Sequence, residues 1–142
     1  MRLLDVNVLV NAHREDAPDH VDHHNWLAEA LAGGEPIGIT TQVLAGFVRV
    51  VTHRRVFDPP TPLPVALEFA SRLRAHPGCV PIEPGRRHWE VFAGLCQQSD
   101  ARGNLITDAQ LAATAIESGC ELVSSDRDFA RFPGLRWRRP LD

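Results

Sequence analysis

Five short, mostly apolar runs punctuate the chain: Arg2–Leu4, Glu35–Ile39, Cys79–Ile82, Glu121–Ser124 and Leu135–Arg138. Stretches of helical period lie between them. This alternation restricts the fold more than any other feature. The runs are too short for helices, and the stretches between the first four are long enough for the crossovers that parallel strands require. The pattern predicts an α/β fold, a three-layer α/β/α sandwich around a central, mostly parallel sheet of about four or five strands. In such sheets ligands collect at the carboxyl ends of the strands.

The helical stretches can be placed from their caps and apolar faces. His23–Ala32 turns Trp26, Leu27, Ala30 and Leu31 to one side and ends at Gly33-Gly34. Thr40 or Thr41 caps a helix running to His53, with a stripe of Val43, Leu44, Phe47, Val48 and Val51. Gly46 interrupts that helix at a cost of about 1 kcal/mol relative to alanine, which a close approach to another element would offset. Asp58–Pro64 is a stiff loop leading into a helix over about Val65–Ala75, and a further helix over about Arg86–Gln98 carries Trp89, Val91, Phe92 and Leu95. The stretch NLITDAQLAATAIESG, Asn104–Gly119, is the most strongly marked. Thr107 and Gln110 read as a capping box, which starts the helix at Asp108 and ends it at about Ser118, before Gly119. Val6–Val10 is apolar throughout, and periodicity alone leaves strand and helix equally open.

At 142 residues the chain suits one domain, 1–142, with a real core. No apolar run approaches the roughly 18 to 20 residues that span a bilayer, and MRLLDVNVLV is too short and too acidic for a signal peptide. Cys79, Cys96 and Cys120 are an odd number and lie far apart, which points to reduced thiols and a cytoplasmic setting. The net charge of −3 gives no overall field toward nucleic acid. All 15 basic residues are arginine, and Arg127, Arg131, Arg136, Arg138 and Arg139 crowd the end of the chain. Biased codon composition is the preferred explanation of that choice, ahead of phosphate recognition by arginine forks. His20 and His24, four apart, lack the intervening glutamate of a zinc helix and read as ordinary surface or packing residues.

The aspartates carry the chemistry. Asp5 interrupts an apolar run, where a buried carboxylate costs several kcal/mol unless paired or bound to a cation. Asp126 follows the run Glu121–Ser124, and Asp108 stands at the predicted start of its helix, where the dipole favours an ionised carboxylate. Each alone has a bland reading as a turn or capping residue. Together they fall at one sheet edge, where neighbouring carboxylates repel unless a cation sits among them. Oxygen ligands without histidine or cysteine point to Mg²⁺ or Mn²⁺, the equipment of phosphodiester hydrolysis.

LLDVNVLV, LAGFVRVVTHRRVF, NLITDAQLAATAIESG and LVSSDRDFARFPGLRW, in that order, resemble the PIN-domain ribonucleases, specifically the VapC-type toxins of bacterial toxin–antitoxin pairs. The resemblance implies the α/β/α sandwich and a Mg²⁺-dependent endoribonuclease leaving 5′-phosphate and 3′-hydroxyl ends. It places Asp5, Asp108 and Asp126 as the catalytic, metal-holding acids, with Asp128 as an accessory. It also implies a homodimer and a cognate VapB-type antitoxin whose basic residue plugs the acidic site. Helices His23–Ala32 and Thr41–His53 are candidates for the antitoxin's groove, and equally for plain core. Arg49 and the C-terminal arginines are candidates for gripping flanking RNA phosphates.

In one respect the chain departs from the family. Many members carry glutamate at the position of Gly46, three before Arg49. A missing carboxylate weakens cation binding, which leads to an expectation of one tightly held Mg²⁺ and a second only with RNA phosphate. It also admits a rival reading, a catalytically weak or inactive PIN-like module that binds RNA or a partner. A phosphatase with an aspartyl nucleophile is disfavoured, because Asn7 stands where that chemistry usually has a second acid.

Overall fold

In the computed structural model, which describes residues 1–142, the elements run β1 (Arg2–Leu4), α1 (Val6–His13), α2 (His20–Ala32), β2 (Ile37–Ile39), α3 (Thr41–Val51), α4 (Leu63–Ala75), β3 (Cys79–Pro81), α5 (His88–Ser99), α6 (Asn104–Ser118), β4 (Glu121–Val123) and β5 (Trp137–Arg138). A 3₁₀ turn, Arg127–Arg131, joins the last two strands. The sheet order is β3-β2-β1-β4-β5, and every pairing is parallel. α1 packs on both α2 and α3, α3 packs on α4, and α5 packs on α6. The sheet lies between these groups, the sandwich expected from the sequence. Leu3, Leu4, Ile37, Ile39, Leu122 and Val123 are fully or almost fully buried, as central parallel strands covered on both faces must be.

The undecided segment after Asp5 is helical. Asp5 caps it, its Oδ1 accepting from the Val6 N–H at 2.7 Å, so Val8, Leu9 and Ala12 face the core. Thr40 caps α3 through the Val43 N–H at 3.0 Å, and Val43, Phe47 and Val51 form its buried stripe. In α5 Leu95 is buried but Trp89 is 73 % exposed, so the apolar face of that helix is narrower than its sequence implies.

The start of α6 departs from the capping-box expectation. The helix begins at Asn104, a turn before Thr107. Gly103, at φ +55°, admits the chain in a conformation that side chains rarely adopt, and buried Leu105 anchors the added turn. Asp108 therefore lies inside the helix rather than at its first position, and the dipole argument for its charge fails.

Gly46 is explained by packing. A Cβ there would lie 2.8 Å from Cγ2 of Val6, at the start of α1. Valine in a helix has essentially one side-chain rotamer, so Val6 cannot swing aside freely. The α1–α3 contact supplies the close approach that offsets the glycine. Gly46→Ala should destabilise the protein by about 1–2 kcal/mol, the gain in helix propensity being outweighed by overpacking. Urea unfolding should show most of that loss recovered when Val6→Ala is added, and an additive double mutant would contradict the contact.

Candidate active site at the carboxyl ends of β1 and β4

Strand order reverses at β1: the chain proceeds from it to β2 on one side, and β4 returns to its other side. The gap between the carboxyl ends of β1 and β4 is the topological switch point where open α/β sheets bind ligands. Asp5 follows β1 there, and Ser124, Ser125 and Asp126 follow β4. The two ends are laced together. Oδ2 of Asp5 accepts from Ser124 Oγ at 2.7 Å and from Asn7 Nδ2 at 2.9 Å. The Asn7 amide also donates to Ser124 Oγ at 3.0 Å, and its Oδ1 accepts from the Ser125 N–H at 3.1 Å. Ser124 Oγ in turn accepts from the Asp126 N–H at 3.0 Å, and Asp126 Oδ1 caps the 3₁₀ turn through the Asp128 N–H at 2.9 Å.

A cleft of about 560 Å³ opens beside this corner, with Asp5, Gln42, Gly46, Arg49, Thr107 and Asp108 among its lining residues. Gln42 spans from α3 to α6, donating to the Thr107 carbonyl at 3.3 Å. Arg49 makes no ion pair. Thus Asp5 and Asp108, far apart in sequence, face one cleft. Carboxylate oxygens of Asp108, Asp126 and Asp128 can all lie within 4.8 Å of one another. Asp5 is outside that trio, but it feels the charge of Asp126. The acids singled out in the sequence, Asp5, Asp108, Asp126 and Asp128, all reach one corner. The sequence reading missed Ser124 and Gln42, since neither carries a spacing signal. Asn7, two residues after Asp5, was the visible hint of the lacing.

The charges are poorly compensated. Burial pushes the Asp5 carboxyl above its ordinary range, partly countered by its hydrogen bonds to Ser124 and the Val6 N–H. Asp108 has no hydrogen-bond partner. Burial first, then repulsion from Asp126, Asp5 and Asp128, pushes it up to about 6. An all-oxygen donor set with uncompensated charge fits a hard divalent cation and fits zinc poorly. Of the two histidines four apart, His20 has its Nδ1 engaged by the Asn11 carbonyl at 2.9 Å.

Residues 2–135 match the PIN domain family. A VapC ribonuclease of Mycobacterium bovis and ribonuclease VapC43 of Mycobacterium tuberculosis are each 49% identical over 142 residues, covering 100% of this chain and 97% of theirs. Ribonuclease VapC25 of M. tuberculosis is 44% identical over 140 residues, 99% of each chain. Among solved structures, the VapBC2 complex of Rickettsia felis, bound to a promoter DNA fragment, gives a TM-score of 0.71 at 20% identity, covering 97% of both chains. VapBC-1 of nontypeable Haemophilus influenzae gives 0.70 at 13%, covering 99% and 98%. At those identities the structures speak for the fold alone. The chain belongs to the PIN-domain family and, within it, to the VapC ribonucleases. PIN-domain ribonucleases are metal-dependent as a class.

The raised pKa of Asp108 has a stability consequence. Because the folded value lies above the ordinary 3.8, the folded chain holds this proton more tightly than the unfolded chain. That contribution is complete below pH 3.8, falls as pH rises, and is gone above about 6. In EDTA, Asp108→Asn should therefore melt about 2–5 °C above the parent at pH 7.5. Scanning calorimetry should show the gap closing below pH 4, and a mutant less stable than the parent at pH 7.5 would contradict the assignment.

Proposed function

We propose that this chain, residues 1–142 acting as a single PIN domain, is the toxin of a cytoplasmic toxin–antitoxin pair and a Mg²⁺-dependent endoribonuclease. The observation that carries the reading is the gathering of Asp5, Asp108 and Asp126 at the switch point with their negative charge uncompensated. Asp5, Asp108 and Asp126 hold the ion, and Asp128 supports it from the 3₁₀ turn. When bound, Mg²⁺ supplies positive charge to a phosphodiester and lowers the pKa of a water, with Mn²⁺ able to substitute.

The remaining roles belong to the chain's own residues. Asn7 and Ser124 fix the Asp5 carboxylate in advance of any ligand. Arg49, unpaired on the cleft wall, is placed to hold an RNA phosphate. Water attacks phosphorus in line with the P–O3′ bond and gives up a proton to solvent; that bond breaks, the 3′-oxygen leaves and takes up a proton from solvent, and the products carry 5′-phosphate and 3′-hydroxyl ends.

A cognate VapB-type antitoxin and a second copy of the chain are the proposed partners. α1 packs on both α2 and α3. An apolar groove lies between α3 and α4, lined by Leu44, Val48, Leu67 and Ala70. It shares Ala45 with the acidic cleft. An apolar antitoxin segment suits that groove, and a basic side chain beyond it would meet the unpaired carboxylates.

The Val6–Gly46 contact favours a second reading, a PIN-like module with weak or no turnover, since it crowds a further cleft carboxylate at position 46. Incubating the protein with RNA in Mg²⁺ or in EDTA decides between them. Metal-dependent cleavage, reduced about 100-fold or more in Asp5→Asn and in Asp108→Asn with folding retained, is expected. Binding of RNA without turnover would establish the second reading.

Isothermal titration without RNA should find one tight Mg²⁺ site, and two tight sites would overturn the single-ion expectation. Since protonated Asp108 is a poor ligand, affinity should fall as pH drops through about 6.

A further inference from the structure

Ser124 is held from one side and holds on the other. Its hydroxyl donates to Asp5 Oδ2 at 2.7 Å and accepts from the Asp126 N–H at 3.0 Å, so one side chain reaches both strand ends of the acidic corner. Its main chain is tied to β5. The Ser124 N–H donates to the Arg138 carbonyl at 3.1 Å. The Ser124 carbonyl accepts from the indole Nε1–H of Trp137, also at 3.1 Å. Ser124 is fully buried, so that carbonyl needs its donor from within the protein.

The sheet itself has no donor to give. β4 and β5 pair in parallel, with Leu122 opposite Trp137 and Val123 opposite Arg138. In a parallel ladder a residue bonds through its N–H to the residue before its partner and through its carbonyl to the residue after it. The Leu122 N–H accordingly donates to the Arg136 carbonyl at 2.9 Å, and the Ser124 N–H to that of Arg138. The same pattern assigns the Ser124 carbonyl to the N–H of residue 140. That residue is Pro140, which has none. The Trp137 indole, a donor only, takes its place. The far side of the same peptide is also held, because the Ser125 N–H donates to Asn7 Oδ1 at 3.1 Å. Trp137 and Asn7 thus grip opposite sides of one planar unit.

We propose that Trp137 is a positioning residue for RNA cleavage: its indole N–H fixes the Ser124–Ser125 peptide, and through it the Ser124 hydroxyl, the Asn7 amide and the Asp5 carboxylate they hold. The proposal rests on the ribonuclease reading. Without that N–H the peptide pivots about its remaining tie to Asn7 to find its carbonyl another donor. The pivot carries the Ser124 hydroxyl away from Asp5 and from the Asp126 N–H. Packing alone does not require tryptophan here, since the ring lies half-buried against the core, where phenylalanine serves as well. No step of the reaction passes through the indole. It acts only by keeping the acids in register.

The test is Trp137→Phe in the full chain, which keeps an aromatic ring and removes the N–H. In EDTA, amide hydrogen exchange should quicken about tenfold or more at Ser125 and Asp126, while the Leu73 amide in α4 keeps the parent's rate. Exchange that quickens equally at all three, or at none, overturns the proposal. In Mg²⁺, kcat for RNA should fall about tenfold or more with KM within about twofold, and Mg²⁺ affinity should weaken about tenfold. Ser124→Ala should cause a similar loss, and the double mutant no further one, because Trp137 acts through Ser124. Additive losses overturn the proposal. The parent gives a reading that depends on no variant folding: of its three indole N–H resonances, that of Trp137 should move as Mg²⁺ is added, and an unmoved one overturns the proposal. Cleavage by Trp137→Phe at the parent's rate overturns the positioning role and leaves the nuclease standing. A parent that cuts no RNA in Mg²⁺ counts against the nuclease itself, while the exchange rates in EDTA still decide the tether.

Discussion

The Asn7 side chain holds the functional corner together. It reaches from the first turn of α1 to Asp5 behind it and to Ser124 and Ser125 across the gap between two strands. Those strands are neighbours in the sheet but stand at opposite ends of the sequence. Parallel pairing alone sets their spacing and leaves the side chains beyond their ends free. The amide converts that freedom into one arrangement, because a half-enclosed amide leaves little unpaired without cost. Everything proposed for the aspartates presupposes this lacing.

Against it stands electrostatic repulsion. Burial first, and then the neighbouring carboxylates, push up the pKa of Asp5 and Asp108. A site of this kind opposes folding locally while it favours a cation, the usual trade between stability and function. The surrounding fold can bear that because its centre is ordinary: Leu3, Leu4, Ile37, Leu122 and Val123 are buried between helices with no polar demand of their own.

Much of this was legible in the sequence, for identifiable reasons. The strands are visible because central parallel strands are apolar throughout, and α3 because its stripe and its Thr40 cap agree. Asp5, Asp108 and Asp126 stand out as lone charges in apolar or capping contexts. What stayed hidden depends on tertiary contact. Thr107 and Gln110 carry a valid local capping signal, yet the burial of Leu105 extends α6 past it. Trp89 looks like core and is not, since nothing packs over that end of α5. Ser124 is an undistinguished serine until the strands are side by side, and the Trp137 indole meets its carbonyl only once β5 lies beside β4.

The contact between Val6 and Gly46 also bears on the history open to such a chain. A carboxylate at position 46 is not one nucleotide change away in any useful sense, because the first larger side chain there collides with a stiff neighbour on another helix. Trimming at position 6 relieves that collision and by itself leaves a void, so the two positions change most cheaply together.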